Sequence, residues 1–470
     1  MNLANRSLTA IDDLSNEEIE AIFSLADEMS GSIRKQTEVC QGKLMASLFF
    51  EPSTRTRLSF EAAMHRLGGN VISAVDIGAT SLAKGESIAD MAKVIGSYAD
   101  IIVIRHPWEG AARVVADYAG VPVINAGDGS HEHPTQTLCD LYTLKKERKT
   151  IKGLTIALWG DLKHGRTIHS LAYALARFGA TIHFRPSPGL ELPEHIIKRL
   201  TTEYTGRLEK YDKLDGMLQG KLLPLDAIYI TPSVPHQLAN IPDVSVQVEL
   251  KTGLDALYVT RLQKERFSAT AEGKELQDSY PVVDKKLLKE KEFKETIVMH
   301  PLPRVDELAH EIDADPRSMY FKQAERGVPI RMALVALLLG DRKVDIAKPK
   351  APPTPETDYP VYKRDSGVRC HNPSCVSTQA TETKYIKPEF KIVGLKPLTL
   401  RCVYCEHEVH PPYIASQEWH EGKIDTKKYH SADSHWMKKI RLENLIIFDS
   451  EKESQAQGFK PSHYAIEKEE

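Results

Sequence analysis

The sequence predicts an α/β protein with parallel sheets covered by helices on both faces, followed by a small metal-bound module. Three observations predict it. Short apolar runs alternate with helical periodicity from Leu44 to about Ala126, and a second strand–helix series begins at Thr155. Four of the six cysteines then fall between Cys370 and Cys405, the clustering of a metal site and not of a disulfide framework. The chain of 470 residues is long enough for about three domains. A net charge of -3 gives no electrostatic reason to expect nucleic acid or an acidic membrane. No stretch is apolar enough to span a bilayer, and MNLANRSLTAIDDLS does not read as a signal peptide. The expected setting is cytoplasmic.

Each element has its own signal. Ser15 and Glu18 form a capping box, Leu14 and Ile19 a staple, and Ile19, Ile22, Phe23 and Ala26 one apolar helix face. A buried strand over 44–50 leads through a polar loop into a helix carrying Phe60, Ala63, Met64 and Leu67, stopped by Gly68-Gly69. Strands 71–76, 100–105 and 121–126 alternate with helices 88–98 and 111–119. The second series places strands at 155–159, 181–184, 254–260 and 296–300, with a helix over 168–178. An apolar helix over 330–339 closes this body. LDAIYIT at 225–231 resembles LDALYVT at 254–260; the pair reads as two strands of similar composition, being too short for a repeat architecture.

Chemistry gathers at strand ends. Ser53, Thr54, Arg55, Thr56 and Arg57 follow a strand and start a helix, where hydroxyls, N–H groups, helix dipole and arginine suit a phosphate dianion. A lone Ser/Thr there would be only a cap. Arg105-His106-Pro107 and GDGSHEHPTQ at 127–136 also follow strands, and doubly wound sheets bind ligands at those ends. His-Glu-His at 131–133 has no clear third ligand and is not read as a metal site.

FEPSTRTR at 50–57, IRHPWEG at 104–110, HPTQTL at 133–138, GDLKHGRT at 160–167, TRLQKERF at 260–267 and MHPLPRVDE at 299–307 resemble, in order, the aspartate/ornithine carbamoyltransferase family. The likeness covers roughly residues 1–340. It implies two doubly wound parallel-sheet domains: 1–150 for carbamoyl phosphate, with a closing helix near 321–340, and 151–320 for the amino acid, with an insertion near 221–253. Arg166, Arg261, Gln263 and the proline of HPLPR resemble the aspartate branch; arginine forks match the two carboxylates of L-aspartate. The resemblance further implies that Ser53, Thr54, Arg55, Thr56 and Arg105 hold phosphate. Thr56, Arg105 and His133 would donate to the carbamoyl oxygen. Gln136 would read the amide with the carbonyls of Pro301 and Leu302. Ser81 and Lys84 would reach the site of a neighbouring subunit in a trimer or assembly of trimers, Lys84 serving both substrates. Glu51 and Arg266 would orient the aspartate-binding arginines. The implied reaction makes N-carbamoyl-L-aspartate early in pyrimidine synthesis, with no catalytic cofactor. Other readings are a carbamoyltransferase for another amino acid and a non-catalytic scaffold.

Cys370, Cys375, Cys402 and Cys405 have the paired spacing of a tetrahedral structural zinc site. Their surroundings, over 368–413, resemble the zinc domain of the family's regulatory chain. A Pro-rich linker over 341–367 stands where that chain has its nucleotide-binding domain, so an assembly role without CTP or ATP control is expected. Residues 414–470 carry one apolar run, 442–448, and receive no assignment.

Overall fold

The computed structural model describes residues 3–31, 37–75, 81–187, 189–203, 225–231, 254–261, 282–343, 361–362, 367–417 and 427–462. The first helix, α1 (Asn16–Ser30), opens on the expected capping box: Ser15 Oγ accepts from Glu18 N–H at 3.1 Å and Glu18 Oε2 accepts from Ser15 N–H at 2.8 Å. Such a cap contributes about 1 kcal/mol. Ile19, Ile22, Phe23 and Ala26 are buried, as the periodicity requires.

Four parallel strands make the first sheet: β1 (Leu44–Phe49), β2 (Asn70–Ala74), β3 (Ile101–His106) and β4 (Val123–Asp128), in the order β2-β1-β3-β4. Their connections are α2 (Thr54–Arg66), α3 (Ile88–Tyr98) and α4 (Ala111–Ala119). Both helix spans 88–98 and 111–119 match the sequence reading. β3 and β4 begin and end one or two residues later than expected, because their last residues are polar and the apolar pattern does not mark them.

The long helix α5 (Pro134–Arg148) leads into a second parallel sheet, β5 (Thr155–Gly160), β6 (Thr181–Pro186), β7 (Ala227–Thr231), β8 (Ala256–Val259) and β9 (Ile297–Met299), ordered β6-β5-β7-β8-β9. Helices α6 (Arg166–Arg177) and α7 (Glu194–Thr202) accompany it. The two similar segments are neighbouring strands: Ala227 to Ile230 pair in register with Ala256 to Val259, and Tyr229 stacks on Tyr258 at 4.2 Å. Their likeness has a physical cause, since both are interior strands of one parallel sheet, buried along their whole length. The stretch 221–253 therefore needs correcting as an insertion: its residues 227–231 form a central strand, while 221–224 and 232–253 lie outside the described residues.

Helix α8 (Tyr320–Leu338) packs on α1, α2 and α5, tying the chain's return to the first sheet. It starts about ten residues before the apolar run because its first turns carry Lys322, Glu325 and Arg326 on an exposed face.

The last third is a separate pair of small sheets. β10 (Val361–Tyr362), β11 (Phe390–Leu395), β12 (Leu398–Cys402) and β13 (Glu408–Val409) form one antiparallel sheet around the cysteines. The unassigned tail forms another: β14 (Tyr413–Ser416), β15 (Lys428–Ser431), β16 (Leu445–Phe448) and β17 (Lys460–Pro461), ordered β16-β14-β15-β17, with α9 (Glu451–Ala456) beside it. The run at 442–448 is mostly β16, and Leu445 and Ile447 join the hydrophobic cluster of the cysteine module. That cluster also contains Ala46, Ile88, Ile102 and Val115 of the first half, so the module is seated on its own chain. Among the described residues no helix is long and apolar enough to cross a membrane.

Candidate active site

Parallel strands expose their carboxyl ends on one edge of each sheet, and the two edges face a common cleft. β1 delivers Glu51 to Ser53 and the start of α2; β3 ends at Arg105 and His106. After β4, the loop places His133 as N-cap of α5 and Gln136 in its first turn. From the second sheet come Arg166 at the start of α6, Thr231, Thr260 with Arg261, and His300 to Leu302 after β9. The cleft holds about 430 Å³ and is lined by residues of both halves, among them Ser53, Arg55, Thr56, Arg105, His133, Gln136, Arg166, Arg261, Pro301 and Leu302.

Ser53 makes no side-chain cap bond to its own helix, which removes the plain capping reading of that serine. Burial, then the neighbouring Arg261, lowers the Arg55 guanidinium from its ordinary value; two cations from opposite halves are crowded together. Glu51 receives Arg105 Nη2 at 2.7 Å and a two-pronged contact from Arg166, Nη1 and Nη2 each at 2.9 Å. Burial pushes this carboxyl up, but Arg166 and Arg105 outweigh it and bring it down to about 2. Gly127 makes room for the pair: its φ is +117°, and a Cβ there would lie 3.1 Å from Arg105 Nη1 and 3.3 Å from Arg166 Cζ.

His133 is buried and neutral. Burial, then Arg105, Arg166 and Arg331, hold it well below the ordinary histidine range. Its Nδ1 accepts from Gln136 N–H at 3.3 Å, which puts the proton on Nε2 as a donor. Gln136 Nε2 donates to Asp140 Oδ1 at 2.7 Å, so its carbonyl oxygen is the end left to accept from an amide N–H. Asp140 also receives Gln323 Nε2 at 2.7 Å and Tyr258 OH at 3.1 Å, and burial raises its carboxyl to about 7. Gln323 Oε1 accepts from His300 N–H at 3.0 Å, and His300 Nδ1 accepts from Leu302 N–H at 2.8 Å. Leu302 is thereby held at φ +53°, a conformation that costs about 1–3 kcal/mol in a non-glycine residue.

The sequence reading missed Asp140, Tyr258, Gln323 and Arg331. A Gln136–Asp140 pair at i,i+4 was the one local signal for them.

In the cysteine module all four sulfurs are buried and within 4.8 Å of one another; Cys370–Cys405 is 3.5 Å and Cys375–Cys402 is 3.8 Å. Zinc–sulfur bonds of about 2.3 Å in a tetrahedron put sulfurs about 3.8 Å apart. The residues fit a closed structural zinc site, and none of them is in a disulfide.

Models of known families match these units. The carbamoyl-P binding domain of aspartate/ornithine carbamoyltransferase matches residues 6–146, and the Asp/Orn binding domain matches 240–338. The chain is 45% identical over 341 residues to the aspartate carbamoyltransferase catalytic subunit of Thermoplasma acidophilum, covering 72% of this chain and 100% of that one. It is 46% identical over 343 residues to that of Thermococcus kodakarensis, covering 72% and 99%. The chain belongs to the aspartate/ornithine carbamoyltransferase family. Similar solved structures are the catalytic subunit of M. jannaschii aspartate transcarbamoylase (41% identity, TM-score 0.56, 72% and 99% covered) and the Trypanosoma cruzi aspartate transcarbamoylase bound to N-(phosphonacetyl)-L-aspartic acid (36%, 0.58, 72% and 97%). Residues 365–414 match the metal binding domain of the aspartate carbamoyltransferase regulatory chain, so this carbamoyltransferase is fused to a regulatory-type zinc module.

The module docks on the carbamoyltransferase body along two lines. Backbone bonds join Glu109 N–H to Ser374 O and Val376 N–H to Glu109 O, each 2.9 Å, and Asn372 Nδ2 donates to Glu109 Oε2 at 2.6 Å. Further along, Arg199 of α7 binds Glu406 at 2.7 Å, and Arg401 binds Glu203 at 2.6 Å and Glu408 at 3.2 Å. Lys84 is exposed at the end of the turn Ser81–Lys84 and does not line the cleft of its own chain. Gln263 and Arg266 lie outside the described residues.

Proposed function

We propose that the chain transfers the carbamoyl group of carbamoyl phosphate to the amine of L-aspartate, releasing N-carbamoyl-L-aspartate and phosphate. The observation that carries this is the joining of Arg55, Arg105 and His133 with Arg166 and Arg261 in one cleft. Two mutually repelling anions need such a surplus of positive charge, delivered from two sides.

In this reading Ser53, Thr54, Arg55, Thr56 and Arg105 take the phosphate, and Arg166, Arg261 and Gln263 the aspartate carboxylates. The amine nitrogen forms a bond to the carbamoyl carbon, and the bond from that carbon to the phosphate oxygen then breaks. Negative charge that grows on the carbonyl oxygen meets Thr56, Arg105 and the Nε2–H of neutral His133. One such donor contributes on the order of 3 kcal/mol. Gln136, oriented by Asp140, and the carbonyls of Pro301 and Leu302 hold the amide. The amine proton leaves with phosphate. Glu51 occupies the arginines until the anions arrive, and holding both substrates in reactive contact is worth roughly 7–11 kcal/mol.

Lys84 and Ser81 serve a neighbour's cleft in this reading, which makes the working unit a trimer. The setting is the cytoplasm, where thiol ligands stay reduced, and the product feeds pyrimidine synthesis. Turnover of carbamoyl phosphate with aspartate, ornithine and acidic analogues tests the acceptor: aspartate should be preferred, and preference for ornithine contradicts the assignment. Mixing Arg105→Ala chains with Lys84→Ala chains should restore activity through hybrid sites; no rescue contradicts sharing.

A further inference from the structure

The loop read from sequence as lacking a third metal ligand gains one from the other end of the chain. His131 and Glu132 stand beside Glu406, which follows the zinc ligand Cys405, and one ligand atom from each lies within 4.8 Å of the others. We propose that His131, Glu132 and Glu406 form a second site for a divalent first-row transition cation, placed at the seam between the cleft loop and the zinc module.

Two buried polar atoms point to that occupant. Glu132 has no exposed surface; its Oε2 accepts from Ile11 N–H and Ser170 Oγ–H, each at 2.9 Å, while its Oε1 is buried with no hydrogen-bond partner. His131, with its side chain 10% exposed, likewise has Nε2 buried and unpartnered. Ligand atoms within 4.8 Å of one another can close on a cation, whose bonds of about 2.0–2.2 Å hold nitrogen and oxygen ligands about 3.3–3.5 Å apart.

The supporting contacts suit ligation as well. His131 Nδ1–H donates to Asp128 Oδ2 at 3.0 Å, and Asp128 also accepts from Gly110 N–H at 2.7 Å and Asn125 Nδ2 at 2.9 Å. The carboxylate orients the ring so that Nε2 is the nitrogen that ligates, giving up its proton as the metal binds. Arg199 Nη1 donates to both oxygens of Glu406, at 2.7 and 2.8 Å, as outer groups commonly do for a ligating carboxylate. One imidazole and two carboxylates suit zinc or manganese. The ion has a path in: all three residues line a cavity of about 1130 Å³ between the body and the module, which His164, His169, His195 and His407 also line.

Such an ion would bridge the module to the loop that carries His133. Ser170 Oγ accepts from His133 N–H at 3.0 Å and donates to Glu132, so the new site and the cleft share a hydrogen-bonded chain.

The test is metal stoichiometry of the full-length chain with its cysteine site filled, dialysed against zinc and separately against manganese. Two ions per chain are expected, with anomalous diffraction placing the second among His131, Glu132 and Glu406. His131→Asn and Glu406→Gln should each return the count to one, and Asp128→Asn should weaken the second ion by about 10–100-fold. One ion per wild-type chain under both metals, a second anomalous peak elsewhere, or full retention in both variants would overturn the proposal. The wild-type count and peak position stand even if a variant fails to fold. None of these readouts depends on turnover.

Discussion

Five arginines, Arg55, Arg105, Arg166, Arg261 and Arg331, line the cleft among the described residues, against one carboxylate, Glu51. Along the seam with the zinc module the charges balance: Arg177, Lys198, Arg199 and Arg401 pair with Asp12, Glu203, Glu406 and Glu408. Both places collect long charged side chains from elements far apart in sequence. The seam satisfies its cations within the chain, which makes it a joint. The cleft gathers five guanidiniums against one carboxylate among its described lining, a charge that suits anionic ligands, which makes it a site.

Removal of zinc should separate the two regions most strongly. Metal binding supplies on the order of 10–16 kcal/mol to small zinc modules. A chelator should abolish hydrogen-exchange protection over residues 367–417 while the sheet around β1 and β3 keeps it; equal loss in both would mean that the body depends on the module for its fold. In the cleft, Arg105→Ala should lower kcat by roughly 100-fold, about 3 kcal/mol, with the melting temperature of the module unchanged. At the seam, Arg401→Met should do the converse. It removes one of the two cations on each of Glu203 and Glu408, which keep Arg199 and Lys198, so the loss should be about 1 kcal/mol of stability, read by denaturant melts, with kcat for carbamoyl transfer kept. A variant that moved both readouts together would erase the distinction between joint and site.

Glu51 gives the smallest effect, confined to acid. Its folded value of about 2 lies below the ordinary 4.5, so its stabilising contribution is complete above the ordinary value and is lost as pH falls toward 2. Glu51→Gln should flatten the ligand-free stability profile across that window; an unchanged slope would mean the arginines are held by something else.

Much of the cleft was legible because each of its clusters directly follows an apolar strand: Ser53 to Arg57, Arg105, and His133 with Gln136. The pattern marks the strand, and topology brings the ends together. Asp140, Tyr258 and Gln323 were not legible. They are buried polar groups on three distant elements, and only their mutual hydrogen bonds, at 2.7 to 3.3 Å, give them meaning. The tail sheet escaped for another reason. β15 and β17 are four and two residues long and carry Lys, His, Ser and Pro, so neither period nor propensity announces them. Glu406 was hidden by its neighbour: beside a zinc ligand, a glutamate reads as solvent-facing until the module is docked.

The most direct test of the account is calorimetric titration of the zinc-loaded chain with N-(phosphonacetyl)-L-aspartate, which joins both anions in one molecule. The account predicts tight binding by the parent chain, with a steep loss both in Arg55→Ala, from the first sheet, and in Arg261→Ala, from the second. Absence of binding by the folded parent, or binding indifferent to either arginine, would contradict a single cleft assembled from two halves.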